Sequence, residues 1–255
     1  MASLNLAADE ILVELLPPER LVAVTSFADD PASSNIVGRA PAEAARFQHA
    51  DLERLLALRS DLVVVAEFTD ADFLHLLGAS GLRYHKVEGL DSFEGIRTAV
   101  RELGGAVGAE AAAQGLIERF DARLRELDTR LAGVSRPKVL YWSNPHVWGS
   151  GTVMDAVIEK AGAINAGKAM GVKGVLPVGA ERAFLANPDV VLVAGPGTRE
   201  ALAAHPLLSQ LAAVRAGRVV ELPGHYAATL TQYTAEAAWF LAHALHPERV
   251  PEQKP

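Results

Sequence analysis

The side chains in this sequence with chemistry to offer are mostly flat ones, and they follow short apolar runs. Phe27 follows Leu21 to Thr25; Glu67 and Phe68 follow Leu62 to Ala66; Trp142, His146 and Trp148 lie on or just after Val139 to Tyr141; His225 and Tyr226 follow Val219 to Leu222. Phe47 stands in the long stretch from Pro31 to Ala50. Aromatic faces give wide contact area at low entropic cost, and Tyr and Trp keep a polar handle, so the set suits a large planar or macrocyclic ligand. Each ring also has a plainer reading as core or loop anchor, and that reading weighs most for Phe27 and Trp142. Trp148 carries the ligand reading best, because Pro145-His146-Val147-Trp148-Gly149-Ser150-Gly151 reads as a loop that its glycines keep loose. A neutral imidazole at His146 or His225 is able to ligate iron or cobalt axially; a solvated surface histidine is the alternative. Asp29-Asp30-Pro31 reads as a turn.

Other chemistries fit less well. There is no GxGxxG after a strand, no P-loop and no GxSxG, so a nucleotide-dependent α/β enzyme is a distant alternative. Gly149-Ser150-Gly151-Thr152 comes nearest to an anion site and reads more simply as a helix entry and cap. A bare divalent-metal carrier using His146, His225, Glu67 and an Asp is a second alternative, but no histidines are paired at ligand spacing. With no cysteine, disulfides and thiolate sites are excluded. A net charge of −7, with the 24 Lys and Arg scattered, excludes a nucleic-acid grip. The apolar runs are far shorter than the roughly 20 residues a membrane helix needs, so no direct insertion is expected.

The elements that must position these residues alternate. Leu21 to Thr25, Leu62 to Ala66, Tyr84 to Val87, Val139 to Trp142, Val190 to Ala194 and Val219 to Leu222 read as buried strands between helical patterns, which means an α/β fold with mostly parallel sheets. Glu53 to Ala66 overlays Glu181 to Ala194 without gaps, with six of fourteen positions identical. A second echo pairs Leu4 to Leu16 with Val139 to Ala161. The chain therefore reads as two related lobes, residues 1–108 and 133–255, joined by one helix over 109–132. Within that helix Leu116, Ile117, Phe120, Leu124, Leu127 and Leu131 recur at helical spacing. Gly104, Gly105 and Gly108 are read as punctuating its start. Two such lobes facing each other would leave a cleft at the carboxyl ends of their strands, where open α/β sheets bind ligands.

In order along the chain, SLNLAADEILVELL, RLVAVTSFADDP, DLERLLALRSDLVVV, GSGTVMDAVIEKAGAINA and AERAFLANPDVVLV resemble the helical-backbone (class III) substrate-binding proteins of ABC importers for cobalamin, haem and ferric siderophores. The resemblance implies two Rossmann-like lobes, a shallow cleft and a small hinge motion. It also implies a monomer with no enzymatic activity and no cofactor, carrying a metal chelate as cargo to an ABC permease dimer. Glu53 and Glu181 fall where that family presents one acidic side chain per lobe to permease arginines; each also reads as a first-turn residue stabilised by its helix dipole. The Trp148-Gly149-Ser150-Gly151 loop resembles the cobalamin binders most closely, which ranks a corrinoid first, with haem (Tyr226 or His225 as ligand) or a ferric siderophore next. The expected location is periplasmic or tethered to the cell surface. The sequence opens without the export signal or lipoprotein segment such proteins carry, and without the Asp and His ligand set of the related zinc and manganese binders.

Overall fold

The computed structural model describes residues 1–252 and divides into two compact units, each built on its own sheet. Unit 1 holds β1 (Ala2–Ser3), α1 (Leu6–Leu15), β2 (Ala23–Thr25), β3 (Ala45–Phe47), α2 (Leu52–Ala57), β4 (Val63–Ala66), α3 (Ala71–Ala79), β5 (Tyr84–Val87) and α4 (Phe93–Val107). Its sheet runs β3-β2-β1-β4-β5 with every neighbour parallel. β4 is buried along its whole length, as an all-apolar strand covered on both faces must be. Leu55 of α2, Leu77 of α3 and Phe47 close the core over Ala2, Val63 and Val65. The strand order reverses beside β1, and that switch point opens a crevice at the carboxyl ends of β1 and β4.

The connecting helix, α5 (Glu110–Arg130), buries Leu116, Ile117, Phe120, Leu124 and Leu127, the stripe its spacing foretold. The division into units falls inside α5, between Arg119 and Phe120, and Ala228–Gln232 is taken into unit 1. Of the three glycines ahead of α5, only Gly108 punctuates its start as expected. Gly104 and Gly105 lie within α4, where a Cβ on Gly104 would stand 2.4 Å from Cβ of Ala113, so glycine is what lets α4 and α5 cross closely. Gly108, at φ 66°, ends α4 in the left-handed conformation.

Unit 2 holds β6 (Lys138–Ser143), β7 (His146–Trp148), α6 (Val153–Lys160), β8 (Ile164–Asn165), α7 (Ala166–Ala169), β9 (Val175–Pro177), α8 (Ala180–Leu185), β10 (Val190–Ala194), α9 (Thr198–Ala204), α10 (Ala212–Arg215), β11 (Val219–Leu222), α11 (Gly224–Ala228) and α12 (Thr234–Leu245). Strands β11, β10 and β6 are parallel, β8 adds parallel to β6, and β7 and β9 extend the sheet antiparallel. The stretch read as a loose loop is therefore a hairpin. Trp142 pairs with Val147 and Ser143 with His146 around a cis Asn144-Pro145 bond, and Trp148 pairs with Val175. Gly149 is not there for looseness: a Cβ would lie 2.0 Å from the Val172 carbonyl oxygen, so only glycine allows the two backbones to close.

The repeat seen in the sequence is a repeat in space. Arg59 and Asn187, equivalent in the overlay, both adopt positive φ, at 50° and 42°. Leu55 and Ala183 are both fully buried. Asp61 lies 3.3 Å from the Met1 amino nitrogen at the start of β1, and Asp189 accepts the Lys138 N–H at 2.7 Å at the start of β6. Each copy thus ties its aspartate to the beginning of the neighbouring strand.

Candidate ligand-binding site

At the carboxyl ends of the unit 1 strands lies a cavity of about 290 Å³ lined by Phe27, Phe47, His49 and Phe68, with Thr25 and Asn5 beside them. A smaller space of about 130 Å³ adjoins it, sharing Phe68, Asn5 and Ala66 and adding Glu67, Glu10 and Leu230. Three of the rings chosen from sequence therefore come together, with different burial. Phe68 is 84% exposed and Phe27 53% exposed, while Phe47 is only 3% exposed.

Phe47 is the strand end of β3 and not part of a loop. The Arg54 guanidinium sits 4.6 Å over its ring, and Arg54 also donates to the Arg46 carbonyl. Arg46 in turn grips Asp29 through two bonds of 2.6 and 3.1 Å, and that guanidinium holds the Asp29 carboxyl below its usual range. Phe47 is thus a fixed floor, and Phe27 and Phe68 are its open walls. Asp30 accepts from Ala32 N–H and the Ser33 hydroxyl, the turn its sequence implied. Glu67 is exposed and accepts the Gly89 N–H at 3.1 Å.

Under the crevice, α1 buries two acids that pattern reading did not single out for this site. Asp9 accepts from the Thr25 N–H and hydroxyl, and burial pushes its pKa up to about 7, against the lowering pull of bonds from Ser3 and Thr25. Its second oxygen has no partner among the described residues. Glu10 accepts from Asn35 through N–H and Nδ2 and from the hydroxyls of Thr229 and Thr231, while Gln232 donates to the Glu10 carbonyl. Glu10 is what pins Ala228–Gln232 to unit 1. The one signal that marked these acids was their place on the helix following the first strand.

In unit 2, Trp142 is core, buried among Leu140, Val147 and Val193. Trp148 is half-buried with its ring 5.6 Å from that of Tyr141, and its indole N–H, inaccessible to solvent, has no partner among the described residues. His146 is exposed on β7. His225 meets the Tyr226 ring edge-on at 4.3 Å, and Tyr226 lines a cavity of about 840 Å³ with Phe240, Arg123 and Trp239. Burial raises the Tyr226 phenol above its usual range. Among the described residues no group of three or more His, Asp or Glu is placed to hold a metal ion.

Glu53 and Glu181 are both exposed and both second in their helices, α2 and α8. Both lie in the first turn, as the helix-dipole reading has them, while the N-cap of α2 is Asp51, which accepts the Arg54 N–H. Among the described residues neither glutamate has a hydrogen-bond or ion-pair partner.

Two α/β units, with aromatic side chains on the loops after their parallel strands, make the framework of a solute-binding protein. The chain belongs to the periplasmic binding protein family, whose model matches residues 1–226. No curated protein matches the sequence. Among solved structures it is similar to the periplasmic haem-binding protein BhuT in complex with two haems, at 26% identity and a TM-score of 0.78, covering 96% of this chain and 98% of that one. The fold is also that of the apo periplasmic haem-binding protein RhuT from Roseiflexus sp. RS-1, at 24% identity and TM-score 0.82, covering 96% of this chain and 97% of that one. It is likewise that of the molybdate periplasmic binding protein MolA of a Haemophilus influenzae ABC transporter, at 21% identity and TM-score 0.80, covering 97% and 86%. Among the described residues no helix is long and apolar enough to cross a membrane.

Proposed function

We propose that this chain is the solute-binding component of an ABC importer and that its cargo is a planar metal chelate of the tetrapyrrole kind, haem ahead of a corrinoid. The observation that carries the reading is the unit 1 cavity walled by Phe27 and Phe68 over the Phe47 floor. Exposed phenyl faces gain most from a flat apolar ligand. A volume of about 290 Å³ is at the low end for ligand pockets, so this surface covers one edge of a large ligand rather than enclosing it. A bare oxyanion fits poorly, because no lysine or arginine lines either unit 1 space. A bare divalent ion fits poorly too, lacking a cluster of ligands.

The haem-binding neighbours move haem ahead of the corrinoid that the Trp148 segment favoured, since that segment is a strand hairpin and not an open loop. Trp148, His146, His225 and Tyr226 are proposed as ligand contacts of unit 2 taken by itself. Glu53 and Glu181, partnerless and equivalent in the repeat, dock on the permease and set register more than affinity.

Titration of the purified protein with haemin and, separately, cyanocobalamin tests the reading, followed by tryptophan quenching and the ligand's visible bands. One-to-one binding of haemin is expected. Binding of cyanocobalamin alone would restore the corrinoid, and binding of neither would remove the tetrapyrrole class. Glu53→Ala with Glu181→Ala is expected to leave ligand affinity intact and abolish uptake; normal uptake would withdraw the docking role.

A further inference from the structure

The chain has eight histidines, and the structure sorts them. His205 Nδ1 accepts from the Leu207 and Leu208 N–H groups, His243 Nδ1 bonds the Val250 carbonyl, and His246 Nε2 lies against the Gly162 carbonyl. His225 is engaged with the Tyr226 ring. His75 on α3, His85 on β5 and His146 on β7 line none of the cavities described. His49 alone is exposed, has no hydrogen-bond or ion-pair partner among the described residues, and lines the cavity of the three phenyl rings.

We propose that His49 supplies one axial nitrogen to the metal of the bound chelate. The proposal rests on the chelate-carrier reading above and narrows it to cargo with an open or exchangeable coordination position. The position of the residue follows from the fold. β3 ends at Phe47, whose ring is fixed by Arg54, and two residues on the chain has left the sheet at its carboxyl end, where the Phe47 anchor limits how far it wanders. The chemistry follows from what surrounds the imidazole. The other polar side chains lining the cavity, Asn5, Thr25, Gln48 and Thr69, are neutral oxygen donors and weak ligands for iron(III) or cobalt(III) in competition with water. One imidazole cannot hold a bare ion, and the described residues offer no cluster that would. It is sufficient for a metal whose equatorial positions a macrocycle already fills, with the phenyl rings covering the macrocycle's apolar surface. His49 follows the short strand Ala45-Arg46-Phe47, whose middle residue is charged, which is why no apolar run pointed to it.

The test is haemin titration of the full chain and of His49→Ala, His49→Gly and His75→Ala, read by the Soret band, by electron paramagnetic resonance and by Kd. Wild type and His75→Ala, whose imidazole lies on α3 outside the cavities described, are expected to share an imidazole-ligated spectrum. His49→Ala should lose it and bind about tenfold or more weakly, and free imidazole should return it to His49→Gly. A wild-type spectrum and affinity in His49→Ala would overturn the role of His49 and leave the carrier reading standing. So would a wild type that takes only a coordinatively saturated ferric trishydroxamate. No complex with haemin, aquocobalamin or the trishydroxamate would overturn both.

Discussion

The Thr25 hydroxyl donates to Asp9 Oδ2 at 2.6 Å, and the Thr25 N–H donates to the same oxygen at 3.0 Å. Thr25 ends β2 and opens the Ser26–Asp29 turn that carries Phe27 to the cavity, so a buried carboxylate of α1 sets where that wall begins.

Asp9 makes stability depend on pH in an unusual direction. Burial raises its folded pKa to about 7 from the ordinary 3.8 of an aspartate. The folded state therefore holds the proton more tightly than the unfolded chain. Its stabilising effect is complete below about pH 4 and is lost as pH rises through about 7. Urea unfolding at pH 5, 6, 7 and 8 should show stability falling by a few kcal/mol across that window from this group. Asp9→Asn should flatten the slope; a slope preserved in the variant would refute the assignment.

Glu10 satisfies donors from three places in the chain: Asn35, Thr229 and Thr231. Glu10→Ala removes the carboxylate acceptor that these donors share in a largely buried site, at about 2 to 3 kcal/mol. Hydrogen exchange should show Ala228–Gln232 losing protection first. Unchanged protection there would mean that this segment is held by something else.

Gly149 and Gly151 look alike in sequence and should behave differently. Gly149→Ala drives a Cβ into the Val172 carbonyl and should cost about 2 kcal/mol or more, opening β7 from its neighbours. Gly151, at φ 74° with open space where a Cβ would go, should cost about 1 kcal/mol as alanine through backbone strain alone. Thermal melts of the two variants decide it, and equal losses would argue that the close approach at Gly149 relaxes freely.

What could be read from sequence was what repeats along it. Tyr84 to Val87, Val190 to Ala194 and Val219 to Leu222 are strands as bounded, and the Leu116 to Leu127 stripe gives α5. β1, two residues long, holds the centre of its sheet only because Ala23 and Val63 flank it, which is tertiary information. The β7 hairpin was hidden because three residues between a proline and a glycine show no periodicity, and Gly149 answers to Val172 on a distant segment. Phe27 and Phe68 could be found because they follow apolar strands. His49 could not, and Phe47 changed from candidate ligand contact to buried floor once Arg54 was seen over its ring.

Phe68 and Phe47 separate binding from folding. Phe68 is 84% exposed, so Phe68→Ala removes little that folding buried, and its effect on stability should stay within about 0.5 kcal/mol. The same ring is the most open wall of the cavity. If a flat ligand covers it, losing that contact should cost about 1 to 2 kcal/mol of binding, a roughly 5- to 30-fold rise in Kd for haemin. Phe47→Ala reverses the balance: it hollows the core under β3 and frees Arg54, and should cost about 3 to 5 kcal/mol of stability. Calorimetric melts and haemin titrations of both variants make the comparison. A Phe68→Ala variant that binds haemin as tightly as wild type would move the ligand off the unit 1 rings, whatever its stability.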